Sequence, residues 1–247
     1  TFDDAFSDHY DYVYSALRKR GMWGIFYVPT KPYSSGKILD VHRIHLLLGK
    51  VGGTKLLKML DSLVNDDMLS HSTVQDFHDF TYSTQKGDAH RDTVTVKKIL
   101  NYFVSYEYRE GLLDALMDQV FDDQEALLRN FYLSKAQMTE MAENGMVIGS
   151  HTVSHPVMSK LELEQQASEI SESFAFLEEF ITDEAFKTFC YPHGGFHTFS
   201  PDTEALLTEN GVRYSFNVEP RDVGEEDLLN RPQALPRYDC NLFPHGQ

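Results

Sequence analysis

The chain has 247 residues, of which 41% are hydrophobic and 24% charged, so it has material for a core and is too apolar to be a disordered chain. Its 38 acidic residues against 22 Lys and Arg give a formal charge of −16, which repels phosphate backbones and argues against nucleic acid or anionic membranes as partners. Cys190 and Cys240 are its 2 cysteines, too few for a disulfide framework, and no apolar run approaches the roughly 20 residues of a membrane span.

In chain order, Phe2 reads as a strand end running into Asp3-Asp4. Tyr10, Val13, Tyr14 and Leu17 then recur at helical spacing, closed by Arg18-Lys19-Arg20 and Gly21. Gly24 to Val28 is an apolar run stopped by Pro29, and this βαβ opening predicts a parallel sheet. Residues 31–131 change texture. Amphipathic helices are expected around Leu46–Leu63, Val94–Val104, Leu112–Val120 and Gln124–Phe131, with a polar loop or short helix over Ser70–Asp92. With few strand-like runs, this stretch reads as a helical insertion within one domain, shaping the substrate cavity or a subunit interface. After Ser134, an N-cap, α/β texture returns. A helix ends at Asn144-Gly145, Met146 to Ser150 is a strand, Leu161 to Phe180 a long helix, and Phe189 to Tyr191 a strand. Ser200-Pro201 opens another helix, and short strands follow at Arg213–Phe216 and Ala234–Tyr238.

Two clusters fall at the C-terminal ends of expected strands, where α/β proteins place their sites. One is Thr1-Phe2-Asp3-Asp4, the other His151-Thr152-Val153-Ser154-His155-Pro156. Two imidazoles four residues apart on a proline-stiffened turn, with a carboxylate from a neighbouring strand, make an N,N,O set. Such a set suits zinc or another divalent transition metal and leaves coordination positions open, and a second carboxylate beside it can take a proton from water.

Thr1 to Asp4 resembles motif one of the polysaccharide deacetylases (the NodB-homology group, carbohydrate esterase family four), T-F-D-D-G. His151 to His155 is similar to motif two, H-[ST]-x-x-H, and Cys190 to Gly194 to motif three, R-x-P-Y-G. The resemblance covers residues 1–30 and 134–240. It implies a distorted, partly open (β/α) barrel of the NodB type, carrying the helical insertion at about 31–131. It also implies metal-dependent removal of an N-acyl group, most simply acetyl, from an amino sugar, in the setting of cell-surface glycan biosynthesis. Carried over residue by residue, it makes Asp4, His151 and His155 the ligands of one divalent ion, zinc first, with cobalt, nickel, iron or manganese as alternatives. Asp3 becomes the general base, and the backbone N–H of His193 part of an oxyanion hole.

Four departures stand against the pattern. Ala5 replaces the motif-one glycine, a change expected to matter little. Cys190 stands for the motif-three arginine and His193 for its tyrosine, and neither a D-x-x-D-W nor a late L-x-H is present. Arg237, on the expected 234–238 strand, is the candidate to replace the missing arginine beside Asp3, against the plainer reading of a surface pair with Asp239. The general acid is left open among His193, His197, His245, His42 and His45. Other readings are plainer. His42 and His45 share a helix face, His71, His78 and His90 are solvated, Trp23 is core, Cys190 and Cys240 are buried free thiols, and the acidic helix Glu162–Glu179 has a solvated outer face.

The substrate is therefore expected to be an N-acylated amino sugar or oligosaccharide, with no nucleic acid, no membrane span, and a homo-oligomer left open. Deformylation or O-deacetylation of a related sugar, a catalytically silent carbohydrate-binding protein, and a purely structural metal are the alternatives. No signal-peptide pattern opens the chain, so a cytoplasmic location is expected. Because Thr1 lies within an expected strand, residues upstream, with a leader among them, stay open.

Overall fold

An unbroken apolar run has two faces to bury, and Ile25–Val28 buries both as β1 in the computed structural model, which describes residues 1–69, 91–182 and 186–244. The strands β2 (Val147–Ser150), β3 (Lys187–Cys190) and β4 (Val212–Phe216) complete a parallel sheet in the order β1-β2-β3-β4. Pairing continues past both edges by one residue. Phe2 bridges to Phe26, its N–H donating to Ile25 O at 2.8 Å and its carbonyl accepting from Tyr27 N at 2.8 Å. At the other edge Leu235 bridges to Phe216, donating to Ser215 O at 2.8 Å and accepting from Asn217 N at 2.9 Å. The strand expected over 234–238 is therefore a single bridge, because Pro232 and Pro236 flank it and offer no N–H to a ladder. Among the described residues, six parallel staves make a partly open (β/α) barrel.

Register sorts the side chains. Phe26 pairs with Ile148 and faces outward, where both meet Met138, Met141 and Leu177 from the flanking helices Lys135–Glu143 and Leu163–Glu178. Ile25, Tyr27 and Cys190 face the other way, into the barrel. Tyr27 lies opposite Gly149, where an added Cβ would stand 2.5 Å from its ring, and its hydroxyl meets Thr188 Oγ1 at 2.9 Å. The flanking helices start where the sequence signals them. Ser134 forms a capping box with Gln137, and Ser200 with Thr203 ahead of Pro201.

Contacts divide the chain into two compact units, Thr1–Lys37 with Ala126–Gly246, and Ile38–Glu125. The barrel belongs to the first. The second is helical, built from Asp40–Val51, Gly53–Leu63, Arg91–Lys98 and Tyr106–Val120 around Ile44, Leu47, Leu56, Leu60, Val96 and Leu116. Buried inside it, Asp40 accepts from Arg43 Nη2 at 2.6 Å and from Arg109 Nε at 2.9 Å, so this carboxylate is matched by guanidinium donors on two helices. His42 is buried and His45 exposed, so the pair does not share one environment. His71, His78 and His90, with most of the expected 70–92 loop, lie outside the described residues.

Two expectations are corrected. Trp23 is 63% exposed rather than core, because it lies in the connection ahead of β1, outside the paired residues. Cys240 is exposed in the short Cys240–Leu242 turn, so only Cys190 is a buried thiol. Among the described residues no helix is long and apolar enough to cross a membrane.

Candidate metal centre

Five non-glycine residues among those described have left-handed backbone: Asp4 (φ 77°), Ala5 (φ 55°), Thr152 (φ 67°), His155 (φ 58°) and His193 (φ 62°). All five lie in the three segments that leave the strand ends. Such conformations cost on the order of 1–3 kcal/mol each and persist only where the surroundings impose them. Ala5 is one of them, so the replacement of glycine expected to matter little places a Cβ where glycine would be unstrained.

The strain aims side chains at one point. Asp4 Oδ1 lies 3.6 Å from His151 Nε2 and 3.5 Å from His155 Nε2, and the imidazole rings meet edge-on with centroids 4.8 Å apart. Ligands about 2.0–2.1 Å from a tetrahedral ion stand roughly 3.4 Å from one another, so these separations fit donors around one zinc-sized ion. The tautomer agrees. His151 Nδ1 lies 2.6 Å from the Cys190 carbonyl, which can only accept, so Nδ1 carries the proton and Nε2 keeps its lone pair. His151 and His155 are buried while the Asp4 side chain is 23% exposed, leaving the donor set one open side.

Asp3 faces elsewhere. Arg237 Nη1 donates to its Oδ1 at 2.8 Å and Nη2 to its Oδ2 at 2.5 Å, a bidentate pair, while Arg237 Nε donates to Asn217 O at 3.0 Å. Phe2 and Leu235 are the outermost staves, so this pair, with Arg237 Nη1 to Thr1 Oγ1 at 3.1 Å, spans the gap between the two sheet edges. Burial pushes the Asp3 carboxyl up, but the charge and hydrogen bonds of Arg237 outweigh it, and the net direction is below the ordinary value. Cys190 occupies the motif arginine's place, with Sγ 3.7 Å from Asp3 Oδ2, and burial holds its thiol well above the ordinary value. Asp3, His151 and Cys190 also gather closely enough to ligate an ion. A protonated thiol and a carboxylate engaged at both oxygens are poor donors, and Asp4, His151 and His155 are the stronger set.

The 151–155 turn is tied down throughout. Thr152 N donates to Ser150 Oγ at 3.2 Å and His155 N to Thr152 Oγ1 at 3.0 Å. Glu169 Oε2 accepts from Val153 N at 2.8 Å and Ser154 N at 2.9 Å, and Oε1 from Ser154 Oγ at 2.5 Å. Sequence reasoning missed this residue, assigning the acids of the long helix to a solvated face. The available signal was spacing, since Glu169 adjoins the buried positions Gln166, Ile170 and Ser173 on one helix face.

In the third segment Gly194 has φ 70° and packs against Val218, so that a Cβ would stand 2.5 Å from Val218 Cγ1. The His193 ring lies edge-on to His155 with centroids 4.9 Å apart, which puts its residue beside the donor set. His197 is exposed, its carbonyl accepting from Ser159 Oγ at 2.7 Å. His245 lies outside the described residues.

A family model described as polysaccharide deacetylase matches residues 113–215, which include the second and third segments. No curated protein sequence matches the chain. Among solved structures it is similar to the Streptococcus pyogenes deacetylase PplD in complex with acetate, at 15% identity and TM-score 0.52, over 96% of this chain and 61% of that one. It is also similar to the BpsB deacetylase domain from Bordetella bronchiseptica, at 12% identity and TM-score 0.50, over 96% of this chain and 68% of that one. At these identities the likeness is one of fold, and the chain spans less than two thirds of the length of the first.

Proposed function

We propose that this chain is a polysaccharide deacetylase that carries out metal-dependent hydrolysis of an N-acyl group, most simply acetyl, on an amino sugar or oligosaccharide. The observation that carries the reading is the division of labour between adjacent carboxylates. Asp4 converges with His151 and His155, while Asp3 is gripped by Arg237. A divalent ion held by Asp4, His151 and His155, zinc by the donor set, would polarise an acyl carbonyl and acidify water.

The chain's own groups supply the proton acceptor and the oxyanion dipole. The C–N bond then breaks with a proton delivered to the departing amine, the role for which His193, His197, His245, His42 and His45 are the candidates. Asp3, ionised and fixed in direction by two N–H groups, takes the proton of the water attacking the acyl carbon. The backbone N–H of His193, on the left-handed turn beside His155, is proposed as the dipole that meets charge developing on the acyl oxygen. Arg237 acts through Asp3, replacing from the last stave the arginine that Cys190 displaces. The strained turns hold these groups before substrate arrives, so less reorganisation is left to the reaction itself.

The test is acetate release from a panel of N-acetylated sugars by wild-type protein and by Asp3→Asn. The substitution keeps the shape and removes the proton acceptor, so turnover should fall on the order of a hundredfold or more while metal content stays at wild type. Loss of metal from Asp3→Asn would mean that Asp3 and Asp4 have exchanged roles.

A further inference from the structure

We propose that Glu169 is a positioning residue for the metal pair, holding the 151–155 turn in the shape that aims both imidazoles at Asp4. The inference rests on the metal reading above. Thr152 and His155 both have left-handed backbone, and they bracket Val153 and Ser154. Those two residues present consecutive backbone N–H groups to one carboxylate oxygen of Glu169, and the Ser154 hydroxyl donates to the other. A concavity of successive N–H groups is built to receive an anion, and here the anion is supplied from the Leu163–Glu178 helix. Hydrogen bonds to an ionised acceptor are about twice as strong as neutral ones.

Besides the bond from His155 N to Thr152 Oγ1, the other ties of the turn lie towards the strand ends. Thr30 N donates to Thr152 O at 3.2 Å, Lys31 N to Val153 O at 2.8 Å, and Thr152 N to Ser150 Oγ. Glu169 engages both the N–H and the hydroxyl of Ser154, the residue immediately before His155. The carboxylate's bonds to the turn go to Val153 and Ser154, between the two imidazole-bearing residues, so its effect passes through the turn's own shape. Without it, two N–H groups lose their acceptor and the strained shape loses its strongest restraint. His155 can then turn away from Asp4 while the barrel stays folded.

The experiment measures zinc affinity of the full chain by competition with a chelator, for wild type, Glu169→Ala and Glu169→Gln. Cobalt(II) absorption reads the coordination geometry, and melting of the metal-free proteins checks the fold. Removing an outer partner of a metal ligand costs about 10–100-fold in affinity, and that loss is expected for Glu169→Ala, with an altered cobalt spectrum. Glu169→Gln keeps an oxygen for the two N–H groups and an amide for the Ser154 hydroxyl, so it should stay within about threefold of wild type. A folded Glu169→Ala with wild-type affinity and spectrum would overturn the proposal, as would a Glu169→Gln as impaired as the alanine variant. Should Glu169→Ala fail to fold, Ser154→Ala, which removes one of the three bonds, must weaken zinc several-fold, and wild-type affinity there overturns it equally. Wild-type protein that takes up no zinc overturns the metal reading and this inference together, whereas normal uptake with an unaffected Glu169→Ala overturns this inference alone.

Discussion

Arg237 carries the sharpest claim at the scale of single residues. Its side chain is 15% exposed and that of Asp3 25%, so water screens the pair only in part. Removing one partner of a buried pair costs about 3–5 kcal/mol, and the residual exposure of Asp3 places this one at or below the lower end. Arg237→Met should cut turnover sharply with metal content unchanged, and Arg237→Lys should restore charge without the fork and recover only part of the rate. Steady-state kinetics beside metal analysis and a urea melt separates these outcomes from unfolding. The three side chains that converge, Asp4, His151 and His155, could be picked out in the sequence because aspartate and histidine at fixed spacing after apolar runs keep their chemical meaning wherever the chain goes. Glu169 was not, since its value comes from which way one helix position turns in the fold. Trp23 and Cys240 failed for a related reason. Being next to a strand says little about being buried.

Gly149 tests how the barrel's elements pack. Its Cβ would enter the space held by the Tyr27 ring and approach Thr188 Cγ2 at 2.9 Å. Neither neighbour is the loose end of a flexible chain, because Tyr27 is buried and hydrogen-bonded to Thr188. Gly149→Ala should therefore destabilise by about 1–3 kcal/mol, read as a lower urea midpoint, through overpacking rather than backbone strain. A midpoint at wild type would show that the barrel interior yields. The short helix Glu225–Asn230 supplies a pH test. Asp227 accepts both Arg221 Nη groups at 2.7 Å and Gly224 N at 2.8 Å, and these bonds hold its carboxyl below the ordinary value. A carboxyl depressed in the folded state contributes stability that is complete above its unfolded pKa of about 3.9 and is lost as pH falls below it. Melting curves from pH 6 to 3 should thus be flatter for Asp227→Asn than for wild type, and equal slopes would remove this pair from the acid response. The first strand was readable from its continuous apolar run, and the helix starts from Ser134 and Ser200-Pro201. The last stave was read too long because the prolines beside Leu235 were given too little weight against its apolar pattern.

For the molecule as a whole, chain order and chemistry meet at one end of the barrel. The first stave brings Asp3 and Asp4, β2 the histidine turn, β3 the Cys190 carbonyl that sets the His151 tautomer, and the last stave Arg237. The sheet does not close by hydrogen bonding between Phe2 and Leu235. It closes by an ion pair, so the contact that joins the barrel's edges also orients the proposed base. The most direct measurement of the central claim is acyl release from an N-acetylated oligosaccharide, followed as zinc is titrated into chelator-treated protein. Activity should rise from near zero and break at one equivalent per chain, and His155→Ala should show no rise. Full activity in the metal-free protein, or a His155→Ala titration that matches wild type, would contradict it.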